Sequence, residues 1–153
     1  AVQAAAELGV PVCLMHMRGE PRMMQENPVY DDVVHEVQQF LLQRATDCEA
    51  GGVLRHNILL DPGFGFGKTL EQNIALFHGL PEFVASGYPV LVGVSRKAMI
   101  GQLTGRDLPG RVPGSITAAV LAAQAGAAII RVHDVAETLD ALKVNTALLK
   151  GSA

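Results

Sequence analysis

The sequence predicts an α/β protein of four consecutive strand–helix units, and three observations predict it. Four short runs, residues 10–17, 58–61, 90–94 and 129–132, are almost uniformly apolar and rich in branched side chains. Strands read this way when a parallel sheet is covered on both faces. Segments of helical period or composition separate and follow these runs, at 31–50, 69–85, 115–125 and 135–149. Finally, every run ends at its C-terminal side in polar or polarizable residues: Met15 and His16, then Asp61, then Ser95 to Lys97, then Arg131 and His133. Strand–helix alternation allows an open doubly wound sheet or a (β/α)8 barrel, and chemistry gathered at the C-terminal strand ends favours the barrel. A whole barrel takes about 250 residues. The 153 residues, a leading helix and four units, therefore read as a single incomplete domain, 1–153, forming the second half of a TIM (β/α)8 barrel.

The elements follow in order. Residues 1–8 look like a helix entered part-way along. The helix over 31–50 carries Val33, Val34, Val37, Leu41 and Leu42, has acids in its first turn and stops at Gly51-Gly52. Thr69 reads as an N-cap with Gln72 at the capping-box position, and Asp134 with Glu137 repeats the pattern before the last helix.

Composition limits the function. With 49% hydrophobic and 18% charged residues the chain can bury a core. Twelve basic against fifteen acidic residues give a net charge of −3, which provides no basic field for nucleic acid. No apolar run approaches the roughly 20 residues of a membrane span. Cys13 and Cys48 follow no metal-ligand spacing and are too few for a disulfide framework, which fits a reducing cytoplasm.

The most informative stretch is Asp61-Pro62-Gly63-Phe64-Gly65-Phe66-Gly67-Lys68-Thr69. A nucleotide P-loop needs glycine six residues ahead of its lysine, and Pro62 stands there. Two readings remain for Asp61, a turn former or a ligand for a donor-rich edge such as that of a pterin or guanine ring, which offers two parallel N–H groups to one carboxylate. Phe64 and Phe66 have little local core to fill and are expected to cover a ligand. Alternation from Gly93 through Ser95, if the extension persists, puts Lys97 on the same face; a solvated Arg96-Lys97 pair is the other reading. Arg131 and His133 share parity beside a helix start, an arrangement suited to phosphate or pyrophosphate. The alternative there is a buried Arg131 paired with Asp134. Cys13, Met15 and Met17 share a face, as plain core or as a ligand floor, and His16, on the other face, reads as a packing residue.

Taken together, residues 11–17, the loop 61–68, Ser95-Arg96-Lys97 and Arg131-Val132-His133-Asp134 occur in an order that resembles the dihydropteroate synthase family of folate biosynthesis. The resemblance runs nearly end to end. It implies a transferase that condenses 6-hydroxymethyl-7,8-dihydropterin pyrophosphate with p-aminobenzoate. Asp61 would bind the pterin's amino edge, Lys97 would bond the pterin ring, and Arg131 and His133 would hold the pyrophosphate. Cys13, Met15, Phe66 and Gly93 would line the pterin pocket, Phe64 would border the p-aminobenzoate pocket, and Ser95 belongs to the substrate-binding set. The resemblance also implies Mg²⁺, its Asn ligand expected in the family's first half, together with a full-length homodimer, a cytoplasmic location and sulfonamides as inhibitors. Many relatives carry Ser or Thr after the lysine, where this sequence has Ala98. The rival readings are a non-catalytic half-barrel that binds or assembles, and the weak P-loop-like NTPase.

Overall fold

The structure, a computed structural model, describes residues 1–19 and 29–150. The chain alternates helix and strand in the order α1 (Val2–Leu8), β1 (Val12–Met15), α2 (Val33–Ala50), β2 (Ile58–Asp61), α3 (Leu70–His78), α4 (Leu80–Ala85), β3 (Leu91–Val92), α5 (Ala98–Thr104), α6 (Val112–Gln124), β4 (Ile129–Ile130) and α7 (Val135–Lys150), with single 3₁₀ turns at Arg55–Asn57 and Leu108–Arg111. β1 pairs in parallel with β2 from Val12↔Ile58 to Met15↔Asp61, and β3 with β4 at Leu91↔Ile129 and Val92↔Ile130. A parallel bridge between Leu60 and Val90 joins the two pairs. All four strands therefore point one way and deliver their C-terminal ends to one rim. Among the described residues no helix is long and apolar enough to cross a membrane.

The core lies between the strands and the helices that cover them. Val37, Leu41 and Ala45 of α2, Ile58 and Leu60 of β2, Leu76 of α3 and Phe83 of α4 are fully buried. Caps fix where the helices begin. The Asp32 side chain accepts the His35 N–H at 3.0 Å, and Thr69 with Gln72 forms the expected capping box.

Several boundaries differ from the expected ones. β2 coincides with its apolar run, whereas β1, β3 and β4 are shorter than the runs that contain them. The single helix expected over 69–85 is two, because Pro81 has no N–H to continue the ladder and Gly79 passes so close to α2 that a Cβ would lie 2.7 Å from Val34. The helix expected from 115 starts at Val112, with Pro113 in its first turn where the missing N–H costs nothing. The seven-residue α5 was not foreseen: it is too short to display a period and is closed by Gly105 at φ 67°.

Candidate active site

The rim of the sheet is built from backbone outward. Asp61 ends β2, and its Oδ1 accepts the Gly63 N–H at 2.8 Å, while no described residue donates to Oδ2. Burial pushes the Asp61 carboxyl up, against the pull of that N–H and of Lys97, Lys68 and Arg131. Cys13 lies near enough for Asp61 to add to the rise that burial causes in its thiol. Cys13 and Met15 are exposed along one face of β1, as is Met17 beyond the strand, whereas His16 is buried.

The extension from Gly93 does not persist. β3 stops at Val92, and Arg96 turns left-handed at φ 57°, a conformation costly for a residue with a Cβ. Strand parity thus fails to place Lys97; the turn does so instead. Lys97 Nζ donates to the Phe64 carbonyl and stands 4.5 Å from the centre of the Phe66 ring. The Arg96 turn is held on three sides. Its N–H donates to Ser115 Oγ at 2.9 Å, its carbonyl accepts Arg111 at 3.0 Å, and its guanidinium forks onto Asp134. Asp134 is therefore engaged by Arg96, which overturns the alternative in which it pairs with Arg131.

Arg131 and His133, both exposed, face a cavity of about 300 Å³ lined also by Gly93, Ser95, Lys97 and Val132. Ser95 is buried, and its Oγ accepts the His133 N–H at 3.2 Å and lies 3.1 Å from His133 Nδ1, so this hydroxyl orients the imidazole. The Arg131 backbone N–H donates to the Val92 carbonyl at 2.9 Å, whereas its guanidinium makes no hydrogen bond or ion pair among the described residues, which leaves the fork available to an anion. A Cβ on Gly93 would make only ordinary contact with Arg131, at 3.7 Å, so space rather than necessity surrounds that glycine. A second cavity of about 440 Å³, lined by Gly65, Lys68, Asn73, Ala98 and Gln102 among others, lies on the α3 and α5 side of the loop. A larger apolar groove of about 470 Å³ lies between α3, α5 and α6 and holds none of these polar groups.

Phe64 is a correction. It is fully buried, its ring 5.9 Å from that of Phe77, so its side chain belongs to the core and lines none of the three cavities just described. The expectation failed because the loop curls back over α3, which supplies the packing that local sequence lacks. Phe66 alone stays half-buried at the site. Nothing in the sequence signals the buried contact between Lys68 Nζ and His16 Nδ1, 3.1 Å apart across 52 residues. With its remaining donors on the Gly63 and Phe66 carbonyls, Lys68 has none left for a nucleotide phosphate.

The turn at Gly63 predicts a large stability effect. Its φ is 71°, and a Cβ there would stand 1.8 Å from the His16 carbonyl oxygen. Gly63→Ala is expected to cost about 2–5 kcal/mol, from left-handed strain plus displaced backbone. Gly105→Ala has a similar φ of 67° but open space around it, and should cost only about 1–2 kcal/mol. Urea unfolding midpoints for the two variants measure the difference.

The chain matches the model of the family described as pterin binding enzyme over residues 1–133. It belongs to the pterin binding enzyme family. Within that family it is 52% identical over 149 residues to dihydropteroate synthase of Escherichia coli strain K12, a match covering 97% of this chain and 53% of that protein. A Yersinia pestis dihydropteroate synthase solved with a sulfonamide drug superposes with a TM-score of 0.93 at 46% identity, covering 99% of this chain and 55% of that one. The Xanthomonas albilineans enzyme in complex with 7,8-dihydropteroate gives 0.90 at 49% identity, covering 97% and 54%. The chain thus spans about half the length of the pterin binding enzymes it matches.

Proposed function

We propose that this chain is the C-terminal half of a dihydropteroate synthase barrel, its strands the last four of a (β/α)8 ring, and that it supplies one wall of the pterin and pyrophosphate site. The observation that carries this reading is the convergence of Asp61, Lys97, Arg131 and His133 at the C-terminal ends of three neighbouring parallel strands. The family match and the product-bound relative support it.

In this reading the open Oδ2 of Asp61, beside the Oδ1 that Gly63 holds, accepts the pterin's 2-amino and ring N–H donors. Lys97 bonds the ring's acceptor side, and Phe66, Cys13 and Met15 bound the pocket. Arg131 and His133 hold the pyrophosphate. The bond between the pterin's 6-methylene carbon and the pyrophosphate oxygen breaks with its electron pair leaving on oxygen. The arylamine nitrogen then forms the new C–N bond and gives up a proton. Charge accumulates on the leaving group, so the stabilisation comes chiefly from Arg131 and His133. No side chain of this chain serves as nucleophile. Among the described residues no group of three His, Cys, Asp or Glu side chains is placed to hold a metal ion, and in this reading the Mg²⁺ ligand is an Asn of the family's first half. With Ala98 after Lys97, the arylamine carboxylate has no hydroxyl at that position.

The test is complementation. The purified chain alone should form no dihydropteroate from the pterin pyrophosphate and p-aminobenzoate, since it supplies only part of the wall. Adding the N-terminal half of a related synthase should restore turnover, followed as pyrophosphate release. Robust turnover by the chain alone, or none in the mixture, would count against the reading.

A further inference from the structure

Lys68 has no part in the reaction just described, yet it is only 8% exposed beside the site. Its ammonium group meets three partners: the Gly63 carbonyl at 2.9 Å, the Phe66 carbonyl at 3.0 Å and His16 Nδ1 at 3.1 Å. A buried ammonium is tolerated when each proton has an acceptor, and here each has one.

The loop depends on this anchoring. Gly63, Gly65 and Gly67 all sit at positive φ, so the backbone has little preference of its own for the observed path. Within the loop only Phe66 N–H to the Gly63 carbonyl, 3.1 Å, closes a turn. Asn73 of α3 accepts the Gly65 N–H at 2.8 Å and donates to the Lys68 and Thr69 carbonyls, which fixes the helix side. The side chain that ties the loop to the end of β1 is Lys68, through His16. Gly63 and Phe66, whose carbonyls accept from Lys68, flank the groups that matter: the Gly63 N–H holds Asp61, and the Phe66 ring lies beneath Lys97.

We infer that Lys68 is a positioning residue of the pterin site, holding Asp61 and Phe66 in register by tying two loop carbonyls to His16. The inference rests on the pterin role proposed for Asp61. The electrostatics agree with the geometry. Burial lowers His16 to about 4, with Lys68 and Arg18 adding to the drop and Glu36 opposing it, so a neutral imidazole presents Nδ1 as an acceptor at physiological pH. Burial lowers Lys68 to about 8, aided by Lys97 and opposed by Asp61, so it is mostly charged there.

The experiment uses the complete synthase carrying Lys68→Met, which keeps the stem and removes the donors. The expected result is a rise of about tenfold in the KM and Kd of the pterin substrate, the fold-change of one ordinary hydrogen bond, with the KM of p-aminobenzoate unmoved and kcat within about threefold. Without ligand, hydrogen exchange across 62–68 should quicken, and the His16 ring should titrate above about 4. Lys68→Arg, which keeps donors for both carbonyls, should recover most of the affinity. If Lys68→Met does not fold, His16→Phe, which keeps a ring against Phe40, should show smaller rises in loop exchange and pterin KM. Unchanged exchange, or quicker exchange with unchanged pterin affinity, would overturn the positioning role. Failure of the unsubstituted synthase to bind the pterin would instead overturn the function assigned to Asp61, whatever the Lys68 variants do.

Discussion

Replacing Asp61 with Asn should weaken pterin binding by about 2–4 kcal/mol, roughly 30- to 1,000-fold, in the complete synthase. The substitution separates the two readings of this residue. The amide still offers Oδ1 to the Gly63 N–H, so a turn former would survive the change. The ligand reading does not, because the second oxygen becomes an NH₂ group that points a donor at the pterin's own donors inside a desolvated pocket. Stability should move the other way. Burial holds the Asp61 carboxyl above its ordinary range, so the unfolded chain gives up this proton first as pH rises. Ionised Asp61 therefore burdens the empty fold above that range, and a neutral amide in its place removes the burden. The expected signature is a higher unfolding midpoint at neutral pH with a much weaker pterin titration by calorimetry. Unchanged affinity would return Asp61 to turn formation.

Arg131→Ala should cost the pterin pyrophosphate about 3 kcal/mol, roughly 100-fold in Kd, and leave the bare hydroxymethyl pterin nearly untouched. The physical basis is the pairing around Arg131. Asp134, the carboxylate nearest in sequence, is taken by Arg96, and Arg131 faces the cavity with His133. Removing its fork strips charge-assisted bonds from the phosphates alone. Arg131→Lys should recover only part of the loss, because a point charge cannot span two oxygens as a guanidinium does. Equal losses for both ligands would make Arg131 a structural residue.

Much of the site could be read along the chain. Asp61, Arg131 and His133 stand at strand ends, and hydrophobic runs mark strand ends even when their lengths are overestimated. The capping box at Thr69 depends only on local hydrogen bonds. Where the reading failed, the deciding contact was remote. Phe64 looked stranded in a glycine loop until α3 brought Phe77 against it. Lys97 reached the site through a left-handed Arg96 that three partners, the farthest 38 residues away, hold in place.

By itself the sequence determined the strand–helix alternation, the capping box at Thr69 and the set of residues at the rim, because periodicity, glycine and proline chemistry, and residue type act within a few positions. Only the tertiary structure decided which partners those residues take. Asp134 is engaged by Arg96 rather than Arg131, and Lys68 by His16 and its own loop rather than a phosphate. A buried charge must be matched by whatever donors or acceptors the packed neighbours present, and those neighbours are set by how the strands assemble rather than by their order in the chain.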